Sequence, residues 1–322
     1  MATTSTATQA TTVYRVITDR ILEALERGVA PWHRPWQAGQ LPHSLVSRKP
    51  YRGINVFLLS MTAQAKGYTS PYWLTFRQAL ALGGAVRKGE RGTPVVFWKF
   101  FDGPAAAPTT DGAAPAVKPS RRPPLLRYYT VFNVEQCQGI ARPVDAAVAA
   151  IAPIEACERL LAAMPAPPAI RESRTDARAY YVPAQDVVNM PARALFTSPA
   201  RFYATLFHEL THATGHPSRL HRATLVDASP FGTPNYSREE LVAEMGAAFL
   251  CGLAGIENET VEPSAAYLQS WLRVLANDPR MLVIAAAQAQ KAADYIRGAR
   301  AGEDDEPAEA PAGEPVTFAA AA

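Results

Sequence analysis

Cysteine is scarce in this chain: there are three in 322 residues, Cys137, Cys157 and Cys251, odd in number and far apart. That spacing excludes a disulfide framework and a cysteine-ligated zinc site, so the thiols are read as reduced and structural. Also missing is any run approaching the roughly 18 consecutive apolar residues needed to span a bilayer. The Thr/Ala/Ser-rich start lacks the basic and apolar regions of a signal peptide. We therefore expect a soluble, cytoplasmic protein with no membrane partner. Hydrophobic residues, at 48% of the chain, suffice for real cores.

The net charge of +3 conceals a division. Residues 1–150 hold 18 Lys+Arg against 8 Asp+Glu, a net +10, whereas the remainder holds 14 against 21, a net −7. A basic half attracts polyanions through phosphate neutralisation and counterion release, and an acidic half does not. Nucleic acid is thus a candidate partner for the first half alone.

The expected organisation is α+β, in two domains. Residues 1–12 and 299–322 are low-complexity and read as disordered. The first domain covers 13–142, with helices over 13–27, 55–66 and 75–82 and a hairpin formed by 95–98 and 128–132. A flexible Ala/Pro/Gly/Thr-rich insertion at 103–124 interrupts that hairpin. The second domain, 150–298, is mainly helical. It has helices over 153–163, 199–214, 238–252 and 263–297, the last broken near Asn277-Asp278-Pro279, and short strands at 179–182 and 187–191.

Ser198-Pro199 gives an N-cap followed by proline at the first helical position, and Gly215 supplies the stop. Inside that helix lies His208-Glu209-Leu210-Thr211-His212. Histidines four residues apart share one face and converge on a single cation, while Glu209, about 100° around the helix, reaches its open side. Zinc in such a site lowers the pKa of water toward ~7, and the glutamate is the catalytic base. The bland alternative is a solvated helix face carrying two histidines. A metzincin would need histidine at position 218, which is Ser218; His216 and His221 are read as loop residues. Glu240 and Glu244, again four apart, offer the third ligand and a carboxylate that orients a ligand histidine. The Glu-x-x-Ala-Glu pattern resembles that of the glutamate zincins, which implies Glu240 as ligand and Glu244 as supporter. A capping box between Ser237 and Glu240 would instead leave Glu244 to bind the metal. The expected cofactor is one Zn2+ per chain, although manganese and iron also accept these ligand types.

In the basic half, cations alternate with rings: Trp32, Arg34, Trp36, Arg52, Trp73, Phe76 and Arg77, followed by the Arg87-Lys88 turn. Aromatic rings beside cations form a sequence-tolerant platform for single strands. Phe57, Phe97, Trp98 and Phe132 are assigned to the core, and Trp32, Trp36 and Trp73 are open to either reading.

Trp32 to Trp36 (WHRPW), Tyr51-Arg52-Gly53-Ile54-Asn55, WLTFRQ at 73–78, VRKGE at 86–90 and VFNVEQ at 131–136 resemble the N-terminal domain of ArdC-type antirestriction proteins. Ala179-Tyr180-Tyr181, residues 186–191, HELTHATGH at 208–216 and EELVAE at 239–244 resemble the same family's metallopeptidase domain. The likeness runs over about 13–297; the insertion is a departure. It implies an N-terminal α+β single-stranded DNA-binding domain joined to a zincin-like metallopeptidase domain, on mobile elements such as conjugative plasmids. The DNA contacts expected in the basic half are Trp32, Arg34, Trp36, Arg52, Asn55, Trp73, Arg77, Arg87 and Lys88, and the expected substrate is a DNA-associated protein. The competing expectation is a non-catalytic protein that coats single-stranded DNA and carries structural zinc. A nuclease or primase is disfavoured, since the basic half holds no carboxylate cluster for two-metal phosphoryl transfer.

Overall fold

The computed structural model describes residues 3–28, 30–32, 41–99, 125–141, 153–226, 234–258 and 265–299. The expected insertion and almost all of the C-terminal tail lie outside them, as do Arg34 and Trp36. Helix α1 spans Thr3–Glu26, beginning ten residues before the expected start. The apolar stripe of Val13, Ile17, Ile21 and Leu25 is buried. Once that segment is nucleated by packing, each alanine or threonine upstream adds a backbone hydrogen bond without a new nucleation cost.

The strand β1 (His43–Ser44) precedes α2 (Ile54–Lys66), β2 (Tyr72–Thr75), α3 (Phe76–Ala81) and β3 (Ala85–Val86). The expected hairpin follows as β4 (Thr93–Lys99) and β5 (Leu125–Asn133), with Val96 opposite Tyr128. These strands lie in the order β1-β2-β5-β4, and β3 pairs with β6 (Cys137–Gln138) in a separate ribbon. Gly53 caps α2 at φ 57°, a left-handed value that costs a non-glycine residue energy.

The second half runs α4 (Pro153–Ala163), β7 (Ala169–Ser173), β8 (Tyr180–Val182), β9 (Val187–Pro191), α5 (Pro199–Ala213), α6 (Ala223–Val226), α7 (Pro234–Ala254), α8 (Ala265–Asn277) and α9 (Met281–Ile296). Its sheet has the order β7-β9-β8, which leaves β8 on an edge. The α8/α9 break falls where Asn277-Asp278-Pro279 places it. Helix α7 is central: Leu241, Val242, Ala243, Met245, Ala247, Ala248, Phe249, Leu250 and Cys251 are all buried. A helix apolar on nearly every side has to be enclosed by its neighbours.

One hydrophobic cluster extends from Val13 to Ile296 and takes in both halves of the sequence. Phe57 stacks on Phe249 with centroids 5.1 Å apart, and Trp32 meets Trp271 edge-on at 5.2 Å. Polar links cross the same junction. Asn258 donates to the Trp32 carbonyl at 2.9 Å, the Gly53 N–H donates to Gln290 at 3.1 Å, and Arg52 pairs with Asp294. Among the described residues, no helix is long and apolar enough to cross a membrane.

Candidate metal centre

Helix α5 begins as its sequence requires. The Ser198 hydroxyl accepts the Arg201 N–H and Pro199 occupies the first turn. His208 and His212 then emerge on the face turned toward α7. The two helices approach closely because residue 246 is glycine: a Cβ there would lie 2.5 Å from Cγ2 of Thr211.

The imidazole Nε2 atoms of His208 and His212 are 3.1 Å apart. Glu240 lies 3.7 Å from His208 Nε2 and 3.5 Å from His212 Nε2. Ligands at ~2.0–2.1 Å from one tetrahedral ion sit about 3.3 Å from each other, so the spacing and the two-nitrogen, one-oxygen donor set both fit a divalent cation. His208, His212 and Glu240 form the group able to hold one among the described residues.

Helix α7 starts at Pro234, so Ser237 lies inside it and is not an N-cap. The capping box that would have occupied Glu240 is therefore absent, and Glu240 is free to turn toward the histidines. Glu244 lies 3.6 Å from His208 Nδ1, where it can orient that ring. His212 has a carboxylate of its own: Glu239 sits 3.3 Å from its Nδ1. Glu239 is in turn gripped by Arg222, whose Nη2 donates at 2.6 Å and Nε at 3.2 Å, and by the Thr224 hydroxyl at 2.5 Å. Arg222 also donates to Thr214 Oγ1 and the Thr211 carbonyl, each at 2.6 Å. Gly215 makes room for it, since a Cβ there would meet the guanidinium at 3.0 Å. Sequence reasoning missed Glu239 and Arg222. No local pattern marks them, because the pair forms only when the chain brings Arg222 to Glu239.

Electrostatics follow from this enclosure. Burial pushes His208 toward neutrality, but Glu240, Glu244 and Glu209 outweigh it and raise its pKa to about 10. Burial alone would raise Glu240, yet His208 and His212 hold it down at about 2. Glu239 is likewise kept below the usual carboxylate range by His212 and Arg222, against its burial. Glu209 behaves in the opposite way. It is 7% exposed, burial lifts its pKa, and the Tyr181 N–H on edge strand β8 donates to it.

The nine residues expected to touch DNA separate into groups. Trp32 and Trp73 are fully enclosed, at 0% and 1% exposure, so neither ring has a face open to a base. Asn55 is buried too, bonding both the N–H and the carbonyl of Val96 at 2.7 Å. Arg52 is engaged by Asp294. Trp32, Trp73 and Asn55 are thus placed in the interior and not on a binding face, whereas Arg52, its side chain 28% exposed, spans the junction between the halves. Arg77, Arg87 and Lys88 are exposed. Beside Arg77, the Phe76 ring is 50% exposed.

Comparison with known proteins gives this arrangement relatives. Residues 155–288 match the zincin-like metallopeptidase family, and residues 11–132 match the N-terminal domain of anti-restriction factor ArdC. The Mn(II)-bound crystal structure of the antirestriction ArdC protein from plasmid R388 is 40% identical. It superposes with a TM-score of 0.70, covering 88% of this chain and 96% of that one; the metal-free structure of that protein gives 0.69. An uncharacterised protein of Sinorhizobium fredii, y4eC, is 37% identical over 92% of this chain and 95% of its own length. Two Escherichia coli proteins called DNA primase TraC are 37% and 36% identical, but this chain spans only 26% and 20% of their lengths. With both domain families present in order and near-complete overlap with an ArdC structure, the chain belongs to the ArdC antirestriction family and carries a zincin-like metallopeptidase domain with a divalent-metal site.

Proposed function

We propose that the protein is a DNA-tethered metallopeptidase: its basic half holds single-stranded DNA while the His208/His212/Glu240 site hydrolyses a DNA-associated protein, protecting incoming mobile-element DNA. The observation that carries this reading is Glu209. Its carboxylate is buried beside the metal-ligand set, carries no ion pair to a lysine or arginine among the described residues, and is anchored by a main-chain N–H. A purely structural metal site has no use for such a group.

Glu209 has the position and the raised pKa of a general base that takes a proton from an attacking water and returns it to the departing amine. Glu239 and Glu244 hold the two imidazoles in orientation. A bound divalent ion supplies Lewis acidity toward water and the scissile carbonyl, and zinc is the proposed ion for this donor set. For DNA, we assign backbone contact to Arg77, Arg87 and Lys88, and base stacking to Phe76.

The test pairs two variants. Glu209→Gln should slow cleavage of DNA-bound protein about 10²- to 10⁴-fold while leaving metal content and strand affinity intact. Replacing Phe76, Arg77 and Lys88 by alanine should weaken DNA binding and make its loss with salt shallower, because fewer counterions are released. Wild-type cleavage by Glu209→Gln would sink the peptidase reading. Antirestriction that survives Glu209→Gln but fails in the triple variant would assign protection to coating of the strand.

A further inference from the structure

Helix α7 presents two opposite faces. Glu240 and Glu244 turn toward the metal ligands, whereas Arg238 and Val242, displaced by about 200° around the helix, line a separate cavity of about 310 Å3. Arg222 and, from α6, Thr224 form a second wall, and the start of α9 forms a third, with Met281 and Ile284.

The charges in this cavity do not balance. Arg222 is matched by Glu239 at 2.6 Å. Asp278 is matched by Arg280 at 3.2 Å. Arg238 is left over: its Nε is fully buried and has no hydrogen-bond partner. Its Nε is shut off from the cavity, so the outer N–H groups of this half-buried guanidinium are the donors an oxyanion there would meet. Helix α9 adds the same sign, since it is 16 residues long, has no acidic residue in its first turn and no side-chain cap. The rest of the lining is mixed: Val242, Met281, Ile284 and Ala285 give it an apolar side, and His221, Thr224 and Gln288 are polar.

We infer that this cavity is a binding site for a small carboxylate with an apolar body, its head accepting from Arg238 and its body lying against Val242, Met281 and Ile284. A single uncompensated positive charge matches a monoanion better than a phosphate dianion. The volume, at the lower end of small-molecule sites, admits about one ring and a short acid chain. The site is distinct from the metal centre yet one ion pair away from it, because Arg222 joins the cavity wall to Glu239 and thence to His212.

The full-length protein is titrated with 3-phenylpropionate, 3-phenylpropylamine and phenyl phosphate, followed by saturation-transfer NMR and calorimetry. Saturable binding of the acid is expected, with no detectable binding of the amine and weaker binding of the phosphate. Arg238→Met should weaken the acid about tenfold or more. Ile284→Trp, a change on the half-exposed face of α9, should block the cavity without touching α7, and guards against a folding defect in the first variant. Absence of saturable acid binding up to about 10 mM, equal affinity in wild type and Arg238→Met, or tighter binding of the amine or the phosphate would each overturn the assignment.

Discussion

At the scale of single residues, the metal centre is a problem in proton competition. His208 has a pKa raised to about 10 and Glu240 one lowered to about 2, so at neutral pH the metal-free site holds a protonated imidazole against an ionised carboxylate. The His208 proton stabilises the metal-free fold fully below the unfolded value near 6.5, and that stabilisation is lost as pH rises toward 10. A cation has to displace the proton. Metal affinity should therefore climb with pH until it levels off near 10, and calorimetry in buffers of different ionisation enthalpy should find about one proton released per ion at pH 7.5 from His208. PH-independent affinity with no proton release would show that His208 is not a ligand. Much of this centre was legible in the sequence, because HExxH is local and its helix is capped by adjacent residues. Glu239 was not legible. Its role depends on Arg222, a residue 17 positions away that meets it only through the turn after α5.

At the scale of elements, the site exists because α5 and α7 lie close enough for their side chains to share one ion. Contact between Gly246 and Thr211 sets that approach. In Gly246→Val, the branched side chain would drive the helices apart. Overpacking of this kind costs about 1–3 kcal/mol or more, and the ligand geometry should be lost with it. Measured by denaturant unfolding and by metal content after dialysis, the variant should be both destabilised and metal-poor; a destabilised variant that keeps full metal affinity would show that the approach of α5 to α7 does not set the ligand geometry. Element boundaries were readable where local chemistry determines them, as at Ser198-Pro199 and at Asn277-Asp278-Pro279. Strand β7 escaped because its outward residues are exposed and lack the apolar alternation of a half-buried strand. The start of α7 escaped because its first turn is polar, so hydrophobic periodicity begins only later.

At the scale of the whole molecule, the two sequence families meet in a common core, which a reading of charge and composition could not foresee. Trp32 and Trp73 looked like candidates for base stacking because tryptophan beside arginine has that chemistry. What decides otherwise for Trp32 is Trp271, a residue more than two hundred positions away that fills the space against its ring. A shared core also has a thermodynamic consequence. If Trp32, Phe57, Phe249 and Trp271 pack as one cluster, and Arg52–Asp294 and Gly53–Gln290 close its rim, the halves should unfold together. A divalent ion present at 1,000 times its Kd would add about 4 kcal/mol to the folded state. Although the ion touches only α5 and α7, differential scanning calorimetry should then show one peak that moves as a whole when metal is added and returns when it is chelated. Fluorescence, reporting the buried tryptophans of the N-terminal half, should follow the same curve. Two peaks, only one of them sensitive to chelator, would mean that the junction is too weak to couple the basic half to the metal centre, and a DNA strand on one side could not then influence chemistry on the other through the fold.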